Sequence, residues 1–287
     1  LVLVLGLSFL LSAWRPPLVS KPRDLRPQYE CKSAKLWYNV LMNIITSKAN
    51  NVVKKAKKLH HKKYRKDSYL IEGWHLFEEA VSSGAELIRI FALAEYAERL
   101  ADFSQVIFVS PEILADLADS KTPQGIVAEV AFEREEIPAE LSGRYLFLED
   151  VQDPGNVGTI IRTADAAGFD GVFISQLSAD IYNLKTLRSM QGSHFHLPVY
   201  RMDTADFIRL ARSSRLPILA STLSSISIDY RKVDSKESFA LIMGNEGQGI
   251  SPEMTVAADI LVHISMKGQA ESLNVAVAAG ILIFHLS

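Results

Sequence analysis

Residues 241–251, LIMGNEGQGIS, indicate both the fold class and the place of the functional site. An apolar strand candidate ends there at Gly244, and Gly247 and Gly249 follow in the same loop. Because glycine has no side chain, the backbone amides of such a loop can approach a ligand closely. The spacing G-x-x-G-x-G differs from the dinucleotide pattern G-x-G-x-x-G, and the lack of Gly-Lys-Ser/Thr excludes a P-loop.

Glu246 lies inside this loop and narrows the class of ligand. A carboxylate repels a phosphate group, so an uncharged or cationic ligand fits the loop better. Taken alone, the loop is also compatible with a tight turn that binds nothing.

Outward from the loop, residues 144–287 alternate short apolar strands with helices, which predicts a doubly wound, mostly parallel α/β sheet. The strand candidates are residues 145–149, 171–174, 217–221, 239–243 and 260–265, and the helix candidates are residues 158–167, 184–190, 204–214, 251–258 and 273–286. Parallel α/β sheets bind ligands at the carboxyl ends of their strands. We therefore expect the functional residues in the loops that follow the strands.

The preceding part of the chain predicts a smaller α/β domain, residues 42–131. A basic helix is expected at residues 50–61, followed by strands and helices as far as residue 130. Residues 132–143 are acidic and contain a proline and a glycine, which is typical of a linker. The second domain is then expected at residues 144–287.

Residues 1–41 fit neither domain. Their first 14 residues are apolar or small, too few to span a bilayer comfortably and without the positive start of a signal peptide. Our hypothesis is that residues 1–41 are an unstructured or spurious extension and that Met42 is the natural start. A membrane or export segment is the alternative.

Composition excludes several classes of protein. The hydrophobic fraction of 48% and the charged fraction of 22% are those of a globular chain, and a single cysteine excludes a disulfide scaffold or a zinc finger. The net charge of -2 hides a basic segment, residues 48–66, with nine Lys or Arg and no acid. Most charge runs are solvated surface. On an otherwise acidic chain, this one favours contact with nucleic-acid phosphates. The candidate contacts are Lys54, Lys55, Lys57, Lys58, Lys62, Lys63 and Arg65.

Two further loops carry polar residues on an apolar background. Asn156 can cap the helix that carries Arg162, and a charge among small apolar residues needs a partner or a ligand. In residues 264–279, Ser272 can cap the last helix, which leaves Asn274 without an explanation. Each loop alone is ambiguous.

Together, and in this order, the loops resemble the TrmH/SpoU branch of the SPOUT RNA methyltransferases, which methylate the ribose 2'-hydroxyl. The match consists of N-x5-R-T-A at residues 156–164, M-G-N-E-G-x-G-I-S at residues 243–251 and S-L-N-V-x-V-A at residues 272–278. Residues 43–130 are similar to that family's L30-like substrate-binding domain, with Glu72 and Gly73 after the first strand.

The resemblance implies a fold, a cofactor and a pocket. The fold is an α/β sheet with a deep trefoil knot, preceded by the small L30-like domain. The cofactor is S-adenosylmethionine, and no metal is expected. By position in the motifs, its pocket consists of Gly244, Ile264 and Leu273, with Asn245 and Met266 adjacent. Glycine backbone and apolar side chains suit an adenine and a sulfonium better than a polyphosphate.

The resemblance also assigns the catalytic residues. Arg162 matches the family's catalytic arginine, but a guanidinium is almost always charged and is a poor general base. It is better placed to stabilise the developing oxyanion or to pair with the neighbouring phosphate. Asn156, Ser272 and Asn274 would orient the ribose and Arg162, and Glu246 would fix Arg162 or a nearby amide.

The resemblance also implies that the protein is a homodimer, that it acts on RNA, and that it works in the cytoplasm without membrane contact. We favour 23S rRNA as the substrate because of the L30-like domain; methylation of tRNA and non-catalytic RNA binding are the alternatives. Since Arg162, Glu246 and Asn274 are all present, an enzyme is favoured over a binding protein. A nicotinamide oxidoreductase is excluded because no G-x-G-x-x-G follows the first strand.

Overall fold

The computed structural model of the protein describes residues 43–133 and 136–287. The expected extension, residues 1–41, and Met42 lie outside the described residues. Within the described part of the chain, no helix has the length and apolar character needed to cross a membrane.

The first sheet has four strands in the order β1-β4-β2-β3, and only the β2–β3 pair is parallel. The strands are β1 (Ser68–Glu72), β2 (Leu87–Ala92), β3 (Val106–Phe108) and β4 (Ile126–Ala131). The helices beside it are α1 (Asn51–Lys58), α2 (Trp74–Ser83) and α3 (Pro111–Leu117). Helix α1 is shorter than expected, because the backbone beyond Leu59 changes to a 3-10 turn at Lys62–Tyr64.

The second sheet has seven strands in the order β7-β6-β5-β10-β8-β11-β9, and the pairings between them are parallel. The strands are β5 (Arg144–Leu148), β6 (Gly171–Ile174), β7 (Val199–Arg201), β8 (Ile218–Ser221), β9 (Ile228–Asp229), β10 (Phe239–Met243) and β11 (Ile260–His263). The prediction of a mostly parallel α/β sheet is confirmed. The two edge strands β7 and β9 were not predicted, since three and two residues are too short to show an apolar pattern.

Helices cover both faces of this sheet. They are α4 (Pro154–Ala166), α5 (Leu184–Met190), α6 (Thr204–Ser213), α7 (Pro252–Ala257) and α8 (Val275–Leu286). Helices α4, α5 and α8 share one apolar core with the first sheet, and α6 and α7 close a second core on the other face. In that second core, the rings of Phe147 and Phe207 stack with centroids 4.4 Å apart.

Helices α4 and α5 are in close contact at Gly158. A Cβ atom there would lie 2.5 Å from the carbonyl oxygen of Thr186 and 2.6 Å from Cβ of Ser189. No larger residue fits at this crossing, so Gly158 fixes how near α5 lies to the start of α4.

Polar contacts join the first sheet to α5. The buried carboxylate of Glu72 accepts hydrogen bonds from the backbone N–H groups of Asp119 and Ser120 and from Arg188 Nη1 at 3.2 Å. Arg188 Nη2 also contacts Asp119 Oδ2 at 2.8 Å. Because these groups come from both parts of the chain, they define how the small sheet sits against α5.

Candidate functional site

A cavity of about 650 Å³ lies at the carboxyl edge of the second sheet, where the loops after β8, β10 and β11 meet. This volume is within the roughly 300–1,000 Å³ usual for small-molecule sites. The five residues predicted for the cofactor pocket all line it: Gly244, Asn245, Ile264, Met266 and Leu273. The structure therefore brings this predicted set together, although the residues come from two separate loops, those after β10 and β11.

The glycine loop folds back on itself. Asn245 and Gly249 exchange two backbone hydrogen bonds of 2.9 Å, and Asn245 Oδ1 accepts from the backbone N–H of Gly247 at 2.9 Å. A Cβ on Gly244 would lie 2.3 Å from the carbonyl carbon of Gly249. Gly244 is thus required first for closure of the loop itself, which adds to the ligand approach that the sequence suggested.

Asn156 is the centre of a hydrogen-bond cluster beside the cavity. Its Nδ2 donates to Glu246 Oε1 at 3.0 Å, and its Oδ1 accepts from Asn274 Nδ2 at 3.0 Å. Both ends of the carboxamide are therefore held, and its orientation is fixed. The three residues follow β5, β10 and β11 respectively, so the cluster joins the three loops.

Two capping predictions were wrong. Asp153, not Asn156, is the N-cap of α4, and its Oδ1 accepts from the backbone N–H of Asn156 at 2.9 Å. Asn274, not Ser272, is the N-cap of α8 and accepts from Ala276 N at 2.9 Å. Aspartate and asparagine cap as well as serine does, and Pro154 at the first position favours a start at Asp153. Asn274 therefore both caps α8 and orients Asn156.

Glu246 accepts hydrogen bonds that hold it ionised. Burial opposes the charge, but the Asn156 amide and backbone N–H groups, including those of Gln152 and Asp153, outweigh it and lower the pKa of Glu246. The prediction that Glu246 fixes a nearby amide agrees with this geometry, and the amide is that of Asn156. An ionised carboxylate at the cavity wall suits a cationic ligand.

Asp153 is also held as an anion. The ammonium of Lys185, 2.9 Å from Asp153 Oδ2, lowers the pKa of Asp153, and the backbone N–H of Asn156 lowers it further. Asp153 was not among the predicted site residues, although the Asp-Pro pair before a helix is a recognisable start signal.

Arg162 lies apart from this cluster. Six residues separate it from Asn156 on α4, which is about 9 Å along the helix and about 120° around it. Its side chain is exposed, and the described residues offer it no hydrogen-bond or ion-pair partner. Of the two alternatives expected for this charge, a partner or a ligand, the described residues supply no partner, and the ligand stays a prediction. Ser272 is exposed at the rim of the cavity.

The cations of the basic segment differ in their contacts, and two of them, Lys58 and Lys63, lie over the ring of Tyr64. Lys54, Lys55, Lys58, Lys62 and Lys63 are exposed. Lys57 is exposed too, but its Nζ lies 2.6 Å from Asp116 Oδ1.

Arg65 does not fit the predicted contact with RNA. Its side chain is only 4% exposed and pairs with Asp180 of the second sheet's domain. Ion pairing and burial give Arg65 a structural role between the two parts of the chain. Its position in a basic run could not reveal this.

The loop after β8 was missed as part of the pocket. Ser221, Thr222 and Leu223 line the cavity, and Leu223 is 67% exposed. No motif or glycine marks this loop, so the sequence offered no signal for it.

The described residues do not suggest a metal site. Residues 43–133 and 136–287 contain no cluster of three or more His, Cys, Asp or Glu side chains able to hold an ion.

A glycine loop and a fixed polar cluster at the carboxyl edge of a parallel sheet are typical of an enzyme that binds a nucleoside-containing cofactor. The profile of the SpoU rRNA Methylase family matches residues 143–284, and that of the MRM3-like substrate binding domain matches residues 50–128. The 23S rRNA (guanosine(2553)-2'-O)-methyltransferase RlmP of Bacillus subtilis is 40% identical over 249 residues, or 85% of this chain and 99% of that protein.

Solved structures agree with the sequence relatives. The AdoMet-bound rRNA methyltransferase from Sinorhizobium meliloti has a TM-score of 0.77 and 33% identity, covering 84% of this chain and 96% of that one. The SpoU methyltransferase AviRb from Streptomyces viridochromogenes, in complex with AdoMet, has a TM-score of 0.73 and 27% identity, covering 83% and 97%. The chain belongs to the SpoU rRNA methylase family. The family resemblance drawn from the three motifs is confirmed.

The glycine loop gives the first testable prediction. Gly244→Ala should abolish binding of S-adenosylmethionine, because the new Cβ collides with the backbone of Gly249 and opens the loop. Calorimetric titration with the cofactor measures the loss.

Gly247→Ala is the matched control in the same loop, because its Cβ would approach nothing closer than Asn245 Oδ1 at 3.6 Å. Cofactor affinity should stay within a few-fold of that of the unchanged protein. Equal affinities in the two variants would contradict the argument from loop closure.

Proposed function

We propose that this protein methylates a ribose 2'-hydroxyl of 23S rRNA with S-adenosylmethionine as the methyl donor. The single observation that carries the proposal is the joining of the three family motifs at one cavity through the Asn156 cluster. Support also comes from the relatives, since the Bacillus subtilis protein, which matches this chain over 99% of its own length, carries that activity in its name. As ribosomal RNA is the substrate, we place the reaction in the cytoplasm.

The cavity fits S-adenosylmethionine. Ile264, Met266 and Leu273 offer apolar surface for an adenine, the Gly244 loop offers backbone groups, and the anionic Glu246 suits a sulfonium better than a phosphate. When bound, the cofactor supplies an electrophilic methyl group. The protein's own task is to hold the ribose hydroxyl in line and to stabilise the charge that develops on its oxygen.

In this proposal Asn156, Glu246 and Asn274 form a rigid support that orients the ribose. Ser272 contacts the substrate from the rim of the cavity. Arg162 supplies the positive charge that stabilises the 2'-oxyanion or binds the adjacent phosphate. Because a guanidinium is a poor general base, Arg162 acts through charge and hydrogen bonds rather than by taking the proton.

The exposed position of Arg162 supports a homodimer as part of the proposal. Val277 is 52% exposed and Phe284 is 61% exposed, and their separation of seven residues puts them on one face of α8. Helix α8 lies beside α4, where a Cβ on Gly280 would be 3.9 Å from Thr163 Cγ2. A second copy of the chain that covers this apolar face would place Arg162 at the subunit boundary, where it can serve a pocket.

The small sheet and its basic helix are proposed to hold the RNA. The exposed ammonium groups of Lys54, Lys55 and Lys58 contact phosphates in this proposal, and Lys62 and Lys63 extend the same surface. Lys57 contributes less, since Asp116 already neutralises it. Such contacts are independent of RNA sequence and weaken as salt rises.

Deletion of the gene tests the proposed substrate. We expect one 2'-O-methylated nucleotide to disappear from 23S rRNA of the source organism, as measured by mapping ribose methylation across all its RNA. Re-expression of the protein should restore the mark, and expression of Asn156→Ala should not, because the ribose support is lost. A mark that disappears from tRNA instead would overturn the choice of substrate.

Replacement of Arg162 tests its part in the chemistry. Arg162→Ala should slow single-turnover methyl transfer by about 10²–10³-fold, the usual loss for one donor at a developing oxyanion. Arg162→Lys should also be slow because it loses the planar guanidinium. Cofactor affinity should not change in either variant, and Arg209→Ala, on the exposed face of α6, is the control. Full activity of Arg162→Ala would remove this residue from the mechanism.

A charge on the apolar face of α8 tests the dimer. Phe284→Asp should shift the protein from dimer to monomer in sedimentation equilibrium and should lower methyl transfer. Val256→Asp, at an apolar position of α7 that is 85% exposed, should leave both unchanged. If the protein without substitutions is a monomer and is fully active, the dimer has no part in the mechanism.

A further inference from the structure

Lys185, near the start of α5, is an exposed cation beside residues 149–156, the connection from β5 into the first turn of α4, here called the catalytic loop. None of the three family motifs contains Lys185. Its side chain is 54% exposed, and its Nζ lies 2.9 Å from Asp153 Oδ2. The stem of the lysine passes the first turn of α4, where a Cβ on Gly155 would be 3.7 Å from Lys185 Cε. Since Asp153 Oδ1 holds the backbone N–H of Asn156, one carboxylate links Lys185 to the Asn156 cluster.

The same end of α5 adjoins the residues just beyond α1, the helix proposed to bind RNA. A small cavity of about 120 Å³ is lined by Leu59 and His60, just beyond α1, and by Asn183 and Leu184, at the start of α5. Lys185 therefore stands between the exposed lysines of α1 and the catalytic loop. This position lies on a direct route for an RNA strand between α1 and the cavity of the proposed cofactor.

The negative charges at the rim of the cavity suggest a function for Lys185. Asp153 and Glu246 are both held as anions close to where the ribose is expected, and both would repel the phosphates on either side of it. An ammonium group has three N–H donors, and the described residues supply an acceptor to one of those of Lys185. The other donors can bind a phosphate while Asp153 keeps the lysine in place.

We propose that Lys185 is a substrate-positioning residue that binds an RNA phosphate next to the methylated nucleotide while Asp153 holds it over the catalytic loop. This inference rests on the proposed function and deepens it. A purely structural role is the competing explanation, but an exposed ion pair of this kind contributes little to stability. Gly158 supports the positioning role, because the close crossing of α4 and α5 keeps Lys185 at a constant distance from Asn156.

RNA binding without cofactor tests the proposal. With an in vitro transcript of 23S rRNA as the probe, Lys185→Met should bind more weakly, and the slope of log affinity against log salt should fall by about 0.7–0.9 for one lost phosphate contact. Lys54→Gln is the positive reference for such a loss. Lys185→Arg should restore the slope, since it keeps the charge at the same place.

Asp153→Asn separates the phosphate contact from the ion pair. Asparagine caps a helix as well as aspartate does, so α4 should start normally while Lys185 loses its anionic partner. The RNA affinity should stay the same or rise, because the ammonium group of Lys185 is still present. The value of kcat should fall, because Asp153 no longer holds Lys185 in a fixed position. Equal weakening of RNA binding in Lys185→Met and Asp153→Asn would show a structural pair and overturn the proposal.

Arg209→Met is the matched control, since it breaks an exposed ion pair with Asp206 on α6. Its RNA affinity and salt slope should not change. If the parent protein methylates RNA but Lys185→Met has an unchanged salt slope, the proposed role of Lys185 is overturned and the proposed function is not. Absence of methyl transfer in the parent protein would instead count against the proposed function.

Discussion

The carboxylate of Glu246 is the interaction on which the arrangement of the site depends. It accepts hydrogen bonds from the side chain of Asn156 and from the backbone N–H groups of Gln152 and Asp153. These donors all follow β5, whereas Glu246 follows β10, so one side chain joins two neighbouring strands at their carboxyl ends. Asn274 adds the loop after β11 through Asn156. The glycine loop has a second link to the loop after β5, since Asn245 Nδ2 donates to the carbonyl oxygen of Asp150 at 2.8 Å, but Glu246 holds the first turn of α4 itself.

The parallel sheet and its ligand edge were predictable because buried strands of four or five residues produce apolar runs that loops interrupt. Strands β6 and β10 and helix α5 occupy the predicted residues. Edge strands β7 and β9 could not be predicted, since pairing with a neighbour rather than an apolar pattern defines them. The trefoil knot implied by the family resemblance stays a prediction.

The sequence predicted which residues line the cavity, but not how their side chains are connected. Motif order identified the pocket residues, yet two caps were assigned to the wrong residues because Asp, Asn and Ser are equivalent at such positions. Arg65 shows a second limit: its sequence neighbours are exposed lysines, but its own charge is neutralised by Asp180 across the chain. The charges of neighbouring residues in the sequence cannot reveal an ion pair between residues more than a hundred positions apart.

The closure of the glycine loop by its own backbone has a consequence for inhibitors. Backbone hydrogen bonds between Asn245 and Gly249 set the path of the chain along this wall of the cavity, so the wall depends less on side-chain identity than a wall built of side chains alone. A compound that contacts only this wall would have few side chains by which to distinguish this protein from another enzyme with the same glycine loop. Selectivity must come from the opposite rim, where Leu223 stands 67% exposed on a loop that carries no motif.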